Sequence, residues 1–313
     1  SKEISKPKYD SYYDDLELSS VLDVTQNKDS VLSQSKMLSN SKSFSILGLS
    51  KRKNNDKKAR IYDIENLNFS YSYAENNYQD FEMDYSNKKM VVANAQYSYS
   101  FENLSIYPFD KLLENKNSKY IKWLKEFNFN PLPNNLTFSA NYNRTLFSQK
   151  FREINYSGVV SNSQIPTPEF RQSKFMFDWL LSISHNLTNS LVLGYNSSNS
   201  SLIPSFSKEI SSVDKNKMEL FDNFFEFGES NFYNQNFSAN YNIPISKLPF
   251  LDFIDANYSY NGNFNWQRGS DIQNNVIDDF GNKLGRVNTI QNSNNQSLTL
   301  SLNLDKFYRQ FSF

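Results

Sequence analysis

The chain has 313 residues, with 33 basic and 33 acidic side chains, one histidine and no cysteine. The zero formal charge excludes the basic surface of a nucleic-acid-binding protein, and the lack of cysteine excludes disulfide scaffolds, thiol nucleophiles and cysteine zinc sites. No catalytic motif, phosphate loop or metal-ligand spacing occurs, so we expect neither an enzyme nor a cofactor.

Residues 1–42 are polar and predict a loop with short helical turns at 14–18 and 28–38. Residues 43–313 instead alternate between apolar and polar side chains. Successive side chains of a strand point to opposite faces, so this period predicts strands with one apolar and one polar face. Phe, Tyr and Trp make up 16% of the chain, which favours strands and argues against disorder.

We expect about nine strands, mostly longer than the 5–6 residues common in soluble sheets and close to the 9–11 that cross a membrane. The polar faces carry Asn, Ser and Thr rather than the Lys and Glu of a soluble sandwich. Residues 43–313 are therefore predicted to be all-β, an antiparallel arc of a very large transmembrane β-barrel in the bacterial outer membrane. Left alone, so few strands would leave open edges in lipid, so we expect an arc of something larger.

The alternation assigns two sets of candidate residues. Those expected to face a water-filled lumen are Asn141, Asn143, Asn240, Asn257, Asn261, Asn263 and Asn265. Those expected to face outer-membrane lipid or its interface are Tyr71, Tyr97, Phe138, Trp179, Tyr258, Tyr260 and Trp266. Trp179 and Trp266 are predicted near strand ends, as in the aromatic girdles of membrane barrels.

The predicted links alternate in length. Short links are expected at 185–189 and 243–249, and long links at 152–170, 200–228 and 268–287. Outer-membrane barrels have short periplasmic turns and longer external loops, so the long links are predicted to be external. A tight turn near residues 76–77 and a longer link at 102–133 are exceptions to this rule.

Several sequence motifs resemble one family. They are RIYDIEN (60–66) leading into FSY (69–71), FDW (177–179), FDNFF (221–225), PISKLPFL (244–251), WQRGSD (266–271) and NTIQN (288–292). Together they resemble the SprA/Sov family, the outer-membrane translocon of the type IX secretion system, over nearly the whole chain. The resemblance implies that this chain is a late segment of a longer, single-chain barrel.

The resemblance also implies a function, which the periodicity does not. Family members export folded cargo proteins, including the surface adhesins of gliding bacteria. Their partners include a PorV-type barrel, a periplasmic plug and a peptidyl-prolyl isomerase.

Two other functions fit the residues. A secreted or cell-surface β-rich adhesion module would be soluble without detergent, and a small-solute barrel, porin-like or TonB-dependent, would need a complete set of closing strands. Among single residues, Asp178 and Arg268 are expected to form salt bridges, and His185 to lie in a solvated turn. Glu226 and Glu229 are expected on a loop surface.

Overall fold

The fold was taken from a computed structural model of the chain. It describes residues 1–11, 15–52, 60–110, 122–152, 167–203, 220–222, 225–248, 250–270, 277, 281 and 285–311. Four residues of the motifs given above, 223, 224, 249 and 271, lie outside this set.

Strands dominate the described residues. The strands are β1 (Lys2–Ser5), β2 (Met37–Ser50), β3 (Leu67–Gln79), β4 (Met83–Ser100), β5 (Asn135–Phe151), β6 (Phe170–Asn186), β7 (Leu191–Leu202), β8 (Glu229–Ile243), β9 (Ile254–Gln267) and β10 (Thr289–Leu302). The helices are α1 (Leu18–Val24), α2 (Lys28–Ser35), α3 (Lys122–Lys125) and α4 (Leu304–Phe311), with single 3-10 turns at Ile64–Asn66 and Pro244–Lys247. None of the described helices has the length and apolar character needed to cross a bilayer.

The ten strands form one sheet in chain order, and every neighbouring pair is antiparallel. This confirms an all-β antiparallel architecture, with ten described strands where about nine were predicted. The sheet is not closed, because β1 and β10 are its two edges. β1 is the additional strand and pairs residue by residue with 37–40.

Two predicted boundaries differ from the structure. β2 begins at Met37 rather than at residue 43, directly after two short helices. Residues 76–77 lie inside β3 and not in a turn, since Asn77 pairs with Asn87 of β4. The turn lies at 80–82, where Asp80 Oδ1 accepts a hydrogen bond from the Met83 N–H at 2.7 Å.

The links separate into two groups. At the end of the sheet that we call lower, links at 51–66, 101–134, 187–190 and 244–253 join the strands. At the opposite, upper end the links are 6–36, 80–82, 152–169, 203–228 and 268–288. Apart from the tight turn, the upper links are long, as predicted for the external side.

The strands are strongly staggered. Starting from Leu67, the first residue of β3, the row of paired residues crosses the sheet through Tyr97, Phe138, Leu181, Ser197, Gln235 and Phe264. Phe264 lies ten residues after Ile254, the lower end of β9. Ten residues span about 33 Å along a strand, and six strand spacings about 29 Å across it. We take the line through the lower ends of the strands as the rim of the sheet. The strands are tilted by about 49° from the perpendicular to this rim, close to the 35–45° typical of barrels.

Candidate functional site: the two faces of the sheet

The strand register brings all seven asparagines predicted to face a lumen onto one face, which we call the polar face. Asn141 pairs with Asn94 on one side and Asp178 on the other. Further along the sheet, Asn263 pairs with Asn236. Asn143, Asn240, Asn257, Asn261 and Asn265 follow the same parity on their strands. Sequence parity alone did not require this, because each strand pair has its own register.

Over β8 and β9, several asparagines of the polar face bond to one another. Asn236 Nδ2 donates to Asn263 Oδ1 at 2.6 Å and to Asn261 Oδ1 at 3.0 Å, and Asn263 Nδ2 donates to Asn261 Oδ1 at 3.0 Å. Asn234 likewise donates to Asn265, and Asn257 to Asn242. These bonds link the side chains of β8 and β9 into a network of neutral amides.

The polar face carries little charge. Asp178 lies near its middle, with Lys88 and Lys174 closer to the upper end and Asp255 at the lower end of β9. Over β4 to β6 the face also includes Val92, Met176 and Leu180, so it is less uniformly polar than the Asn-rich half.

The other face holds all seven aromatic candidates, and we call it the aromatic face. Tyr97 pairs with Phe138, and the Phe138 ring stacks on Trp179 with centroids 6.4 Å apart. The series continues sideways, because Trp179 contacts Tyr233 at 6.2 Å and Tyr233 pairs with Trp266. Tyr71, Tyr258 and Tyr260 complete the set on β3 and β9.

The predicted position near a strand end is wrong for one of the two tryptophans. Trp266 is the last residue but one of β9, as predicted, whereas Trp179 lies in the middle of β6. The apolar series on this face of β6 runs from Phe175 to Ile183, and Trp179 is its central member.

Polar side chains interrupt the aromatic face over β7 to β10. Ser197, Asn199 and Ser201 are buried there, and Ser197 Oγ donates to Tyr233 Oη at 3.1 Å. Gln235 Nε2 donates to Tyr195 Oη at 3.1 Å. Beside them lies an open cleft of about 510 Å³ whose aromatic-face lining is uncharged: Tyr195, Gln235, Phe237, Tyr260, Gly262, Phe264, Asn292 and Asn294. Sequence reasoning missed this cleft because the alternation of β7 is irregular and β10 is polar on both faces in its middle.

A fully buried arginine is a further residue that the sequence pattern did not reveal. Arg144 lies on the aromatic face of β5 and has 0% exposure. Its guanidinium lies over the rings of Tyr142 and Phe175, 5.0 and 4.8 Å from their centroids. Its Nη1 donates to the carbonyl oxygen of Leu220 at 3.0 Å and also to that of Asp222.

The partners of Arg144 belong to a segment that covers the upper part of the aromatic face. This strap comprises residues 220–222 and 225–227. Phe221 stacks on Tyr73 of β3 at 6.2 Å, and Phe227 contacts Phe177 of β6 at 4.6 Å. Leu220 joins the buried cluster formed by Val91, Tyr142, Leu146, Phe175 and Ile203. The upper link between β7 and β8 therefore folds back over at least β3 to β6.

The remaining single residues behave differently from one another. Arg268 forms the predicted salt bridge, with Nη2 2.6 Å from Glu229 Oε2, and Arg286 contacts the same carboxylate at 3.3 Å. Glu229 is thus the first residue of β8 and an ion-pair partner rather than simple loop surface.

His185 lies within β6, and its Nε2 is 2.8 Å from the Asn130 carbonyl oxygen, so it is not a solvated turn residue. Asp178 has no ion pair among the described residues.

The described part of the sheet contains no recognisable metal centre, and two comparisons with known proteins found no match. The described residues contain no group of three or more His, Cys, Asp or Glu side chains that could hold a metal ion. The chain matches no known protein family and no curated protein significantly.

Proposed function

We propose that this chain is part of the wall of a protein-conducting pore in a bacterial outer membrane, with the polar face towards the lumen and the aromatic face towards lipid. The main support is that each of the two residue sets lies entirely on one face of a staggered ten-stranded sheet. Its strand tilt of about 49° and its long strands suit a membrane barrel.

The height of the uncharged band supports the same proposal. On β4 the first charged residue of the aromatic face is Lys89, eleven residues from Ser100 at the lower end. That distance is about 36 Å along the strand, or about 24 Å once the tilt of about 49° is included. On β3 the first charged residue is Glu75, eight residues from Leu67, and on β5 it is the buried Arg144, nine residues from Asn135, which gives heights of about 17 and 20 Å. Over β3 to β5 the uncharged band is therefore about 17–24 Å tall, somewhat less than the band of about 25 Å on lipid-facing barrels.

The composition of the polar face suits cargo that differs in sequence and charge. A wall of neutral amides attracts neither sign of charge. This fits export of folded proteins through a type IX translocon of the SprA/Sov kind, which the motifs suggest. On that proposal the PorV-type barrel, periplasmic plug and isomerase are expected partners, and surface adhesins are among the cargo.

Cysteine labelling tests the membrane part of the proposal. The chain has no native cysteine, so each introduced thiol reports only its own position. In intact outer membranes we expect Asn261→Cys to react with a water-soluble maleimide and Tyr260→Cys to react only with a lipid-soluble one. Equal labelling of this adjacent pair by the water-soluble reagent would contradict a lipid-facing aromatic face.

Photo-crosslinking tests the cargo part. A photoreactive amino acid placed at Asn263 should capture secreted proteins during export, and the same group at the adjacent Phe264 should capture lipid or outer-membrane partners instead. If neither position captures a secreted protein while labelling still follows parity, the wall belongs to another type of pore.

The runner-up function is a cell-surface adhesion module, which the uncharged cleft on the aromatic face favours. Aromatic rings beside amide groups, as at Tyr260 and Asn294, suit contact with a neutral polar partner. A chain that remains soluble and monomeric without detergent would favour this module over the pore.

A further inference from the structure

The charged side chains of the aromatic face are confined to its upper part. Lys42, Glu75 and Lys89 form one row across β2, β3 and β4, because Glu75 pairs with both lysines. The row directly below is Phe44, Tyr73 and Val91, and it continues to the buried Arg144 of β5. On β2 and β3 the charges therefore begin where the aromatic side chains end, whereas Tyr85 lies above Lys89 on β4.

Within this row the carboxylate is held by neutral neighbours. Tyr73 Oη donates to Glu75 Oε2 at 3.0 Å, and Asn77 Nδ2 donates to Glu75 Oε1 at 2.9 Å. Among the described residues, neither Lys42 nor Lys89 lies within ion-pair distance of a carboxylate. The row thus has one net positive charge and two ammonium groups open to an anion.

The strap contacts the sheet at the level of this row of charges. Val91, in the row below Lys89, belongs to the buried cluster that Leu220 completes, and Phe221 stacks on Tyr73. Protein therefore covers part of the aromatic face just where the lysines begin. Below this height the aromatic face of β3 and β4 carries only uncharged side chains, among them Tyr71 and Tyr97.

We propose that the row of Lys42, Glu75 and Lys89 binds the phosphate of a lipid headgroup in the leaflet at the upper end of the sheet. The inference rests on the proposed membrane wall and adds a specific lipid contact to it. Ammonium groups attract anionic headgroups at a membrane surface, and the tyrosines and phenylalanine below provide the surface for the acyl chains of the same lipid. Glu75 moderates this attraction and separates the two lysines.

The chain supplies a matched control for this site. Lys88 is adjacent to Lys89 and lies at the same height, but it belongs to the polar face, where it pairs with Asn76 of β3 and Phe147 of β5. A phosphate bound through general attraction to positive charge would involve both lysines equally, whereas a lipid on the aromatic face contacts Lys89 alone.

The experiment measures lipid retention on the full protein. Vesicles containing phosphatidylglycerol and phosphatidylcholine would be solubilised with the protein inserted, and native mass spectrometry would give the ratio of the two lipids that stay bound. We expect Lys42→Gln and Lys89→Gln each to lower the retained phosphatidylglycerol about fivefold. Lys88→Gln should leave it unchanged, and Glu75→Gln should raise it, a gain that misfolding does not produce.

Each alternative result has a distinct meaning. Equal losses in Lys88→Gln and Lys89→Gln overturn the headgroup site and show only non-specific attraction. If inorganic phosphate displaces phosphatidylglycerol, the site binds free phosphate, and the proposal that its ligand is a lipid headgroup is wrong. A loss in Lys88→Gln alone shows that the polar face contacts lipid, which contradicts the proposed orientation. A protein that needs no detergent contradicts the membrane wall itself, separately from the headgroup site.

Discussion

Arg144 shows how a single charge is accommodated on an otherwise apolar surface. Desolvating a guanidinium costs several kcal/mol unless hydrogen bonds and close packing offset it. Here two carbonyl oxygens of the strap accept from Nη1, and two aromatic rings lie against the guanidinium plane. Arg144 therefore joins the strap to the sheet and needs the strap to remain buried.

Replacing Arg144 with Met should destabilise the protein, because the strap carbonyls lose a charged donor while the side-chain volume is kept. We expect the free energy of unfolding to fall by about 1.5–3 kcal/mol. Urea unfolding followed by tryptophan fluorescence in detergent measures it. Lys150→Met is the control, since Lys150 lies on the same strand and face but is only partly buried. Equal effects of the two changes would contradict the anchoring role of Arg144.

Part of this residue-level detail could be predicted from sequence, and part could not. The two residue sets lie on opposite faces of the sheet, because parity along a strand is a local property, and their assignment to lumen and lipid stays a prediction. Arg144 continues the parity of Phe138 and Tyr142, so its face followed from the pattern, but its burial did not. Its partners lie 76 and 78 residues further along the chain, where no local pattern signals them.

At the scale of elements, strands extend beyond the segments in which apolar and polar side chains alternate. The sequence indicates β4 only around Ala95 and Tyr97, whereas the strand begins at Met83. Its upper half pairs with β3 and β5 through residues such as Asn87 and Lys88, because backbone hydrogen bonds do not need apolar side chains. The predicted elements were therefore right in type and too short at their polar ends.

The start of β8 depends on a glycine that packs closely against β7. Gly228 has φ of +70°, and a Cβ there would lie 2.4 Å from the Leu202 carbonyl oxygen. Gly285 has the same φ of +70° with no atom within 4 Å of such a Cβ. Substitutions at these two glycines therefore distinguish the cost of backbone strain from the cost of steric overlap.

Gly228→Ala should therefore destabilise the protein more than Gly285→Ala. Both changes carry the cost of a left-handed alanine, about 1–2 kcal/mol, and only the first adds a collision with β7. The difference between their unfolding midpoints in urea isolates the collision. Identical midpoints would mean that the strap and the start of β8 shift to relieve it.

At the scale of the whole molecule, the open sheet leaves β10 as a long exposed edge. All fourteen residues of β10 pair with β9 on one side, and no described strand lies on the other. An edge with unpaired backbone groups is not viable in hydrocarbon. The proposed membrane wall would therefore require another strand beside β10.

Hydrogen exchange tests that requirement. In membranes that hold the complete pore, we expect the β10 amides to exchange as slowly as those of β9. In the isolated chain in detergent, about half of the β10 amides should exchange rapidly, since alternate groups point away from β9. Rapid exchange in the complete pore would contradict a neighbouring strand.

The stagger of the strands also sets how wide an opening each strand can enclose. At a tilt of about 49°, a strand occupies about 7.3 Å of circumference instead of 4.8 Å. Ten strands closed on themselves would form a cylinder about 23 Å across at the backbone, narrowed further by inward side chains. A folded domain of about 100 residues, with a radius of gyration near 13 Å, is about 34 Å across. A folded domain of this size therefore needs at least about one and a half times the circumference that these ten strands provide, and more once inward side chains are included.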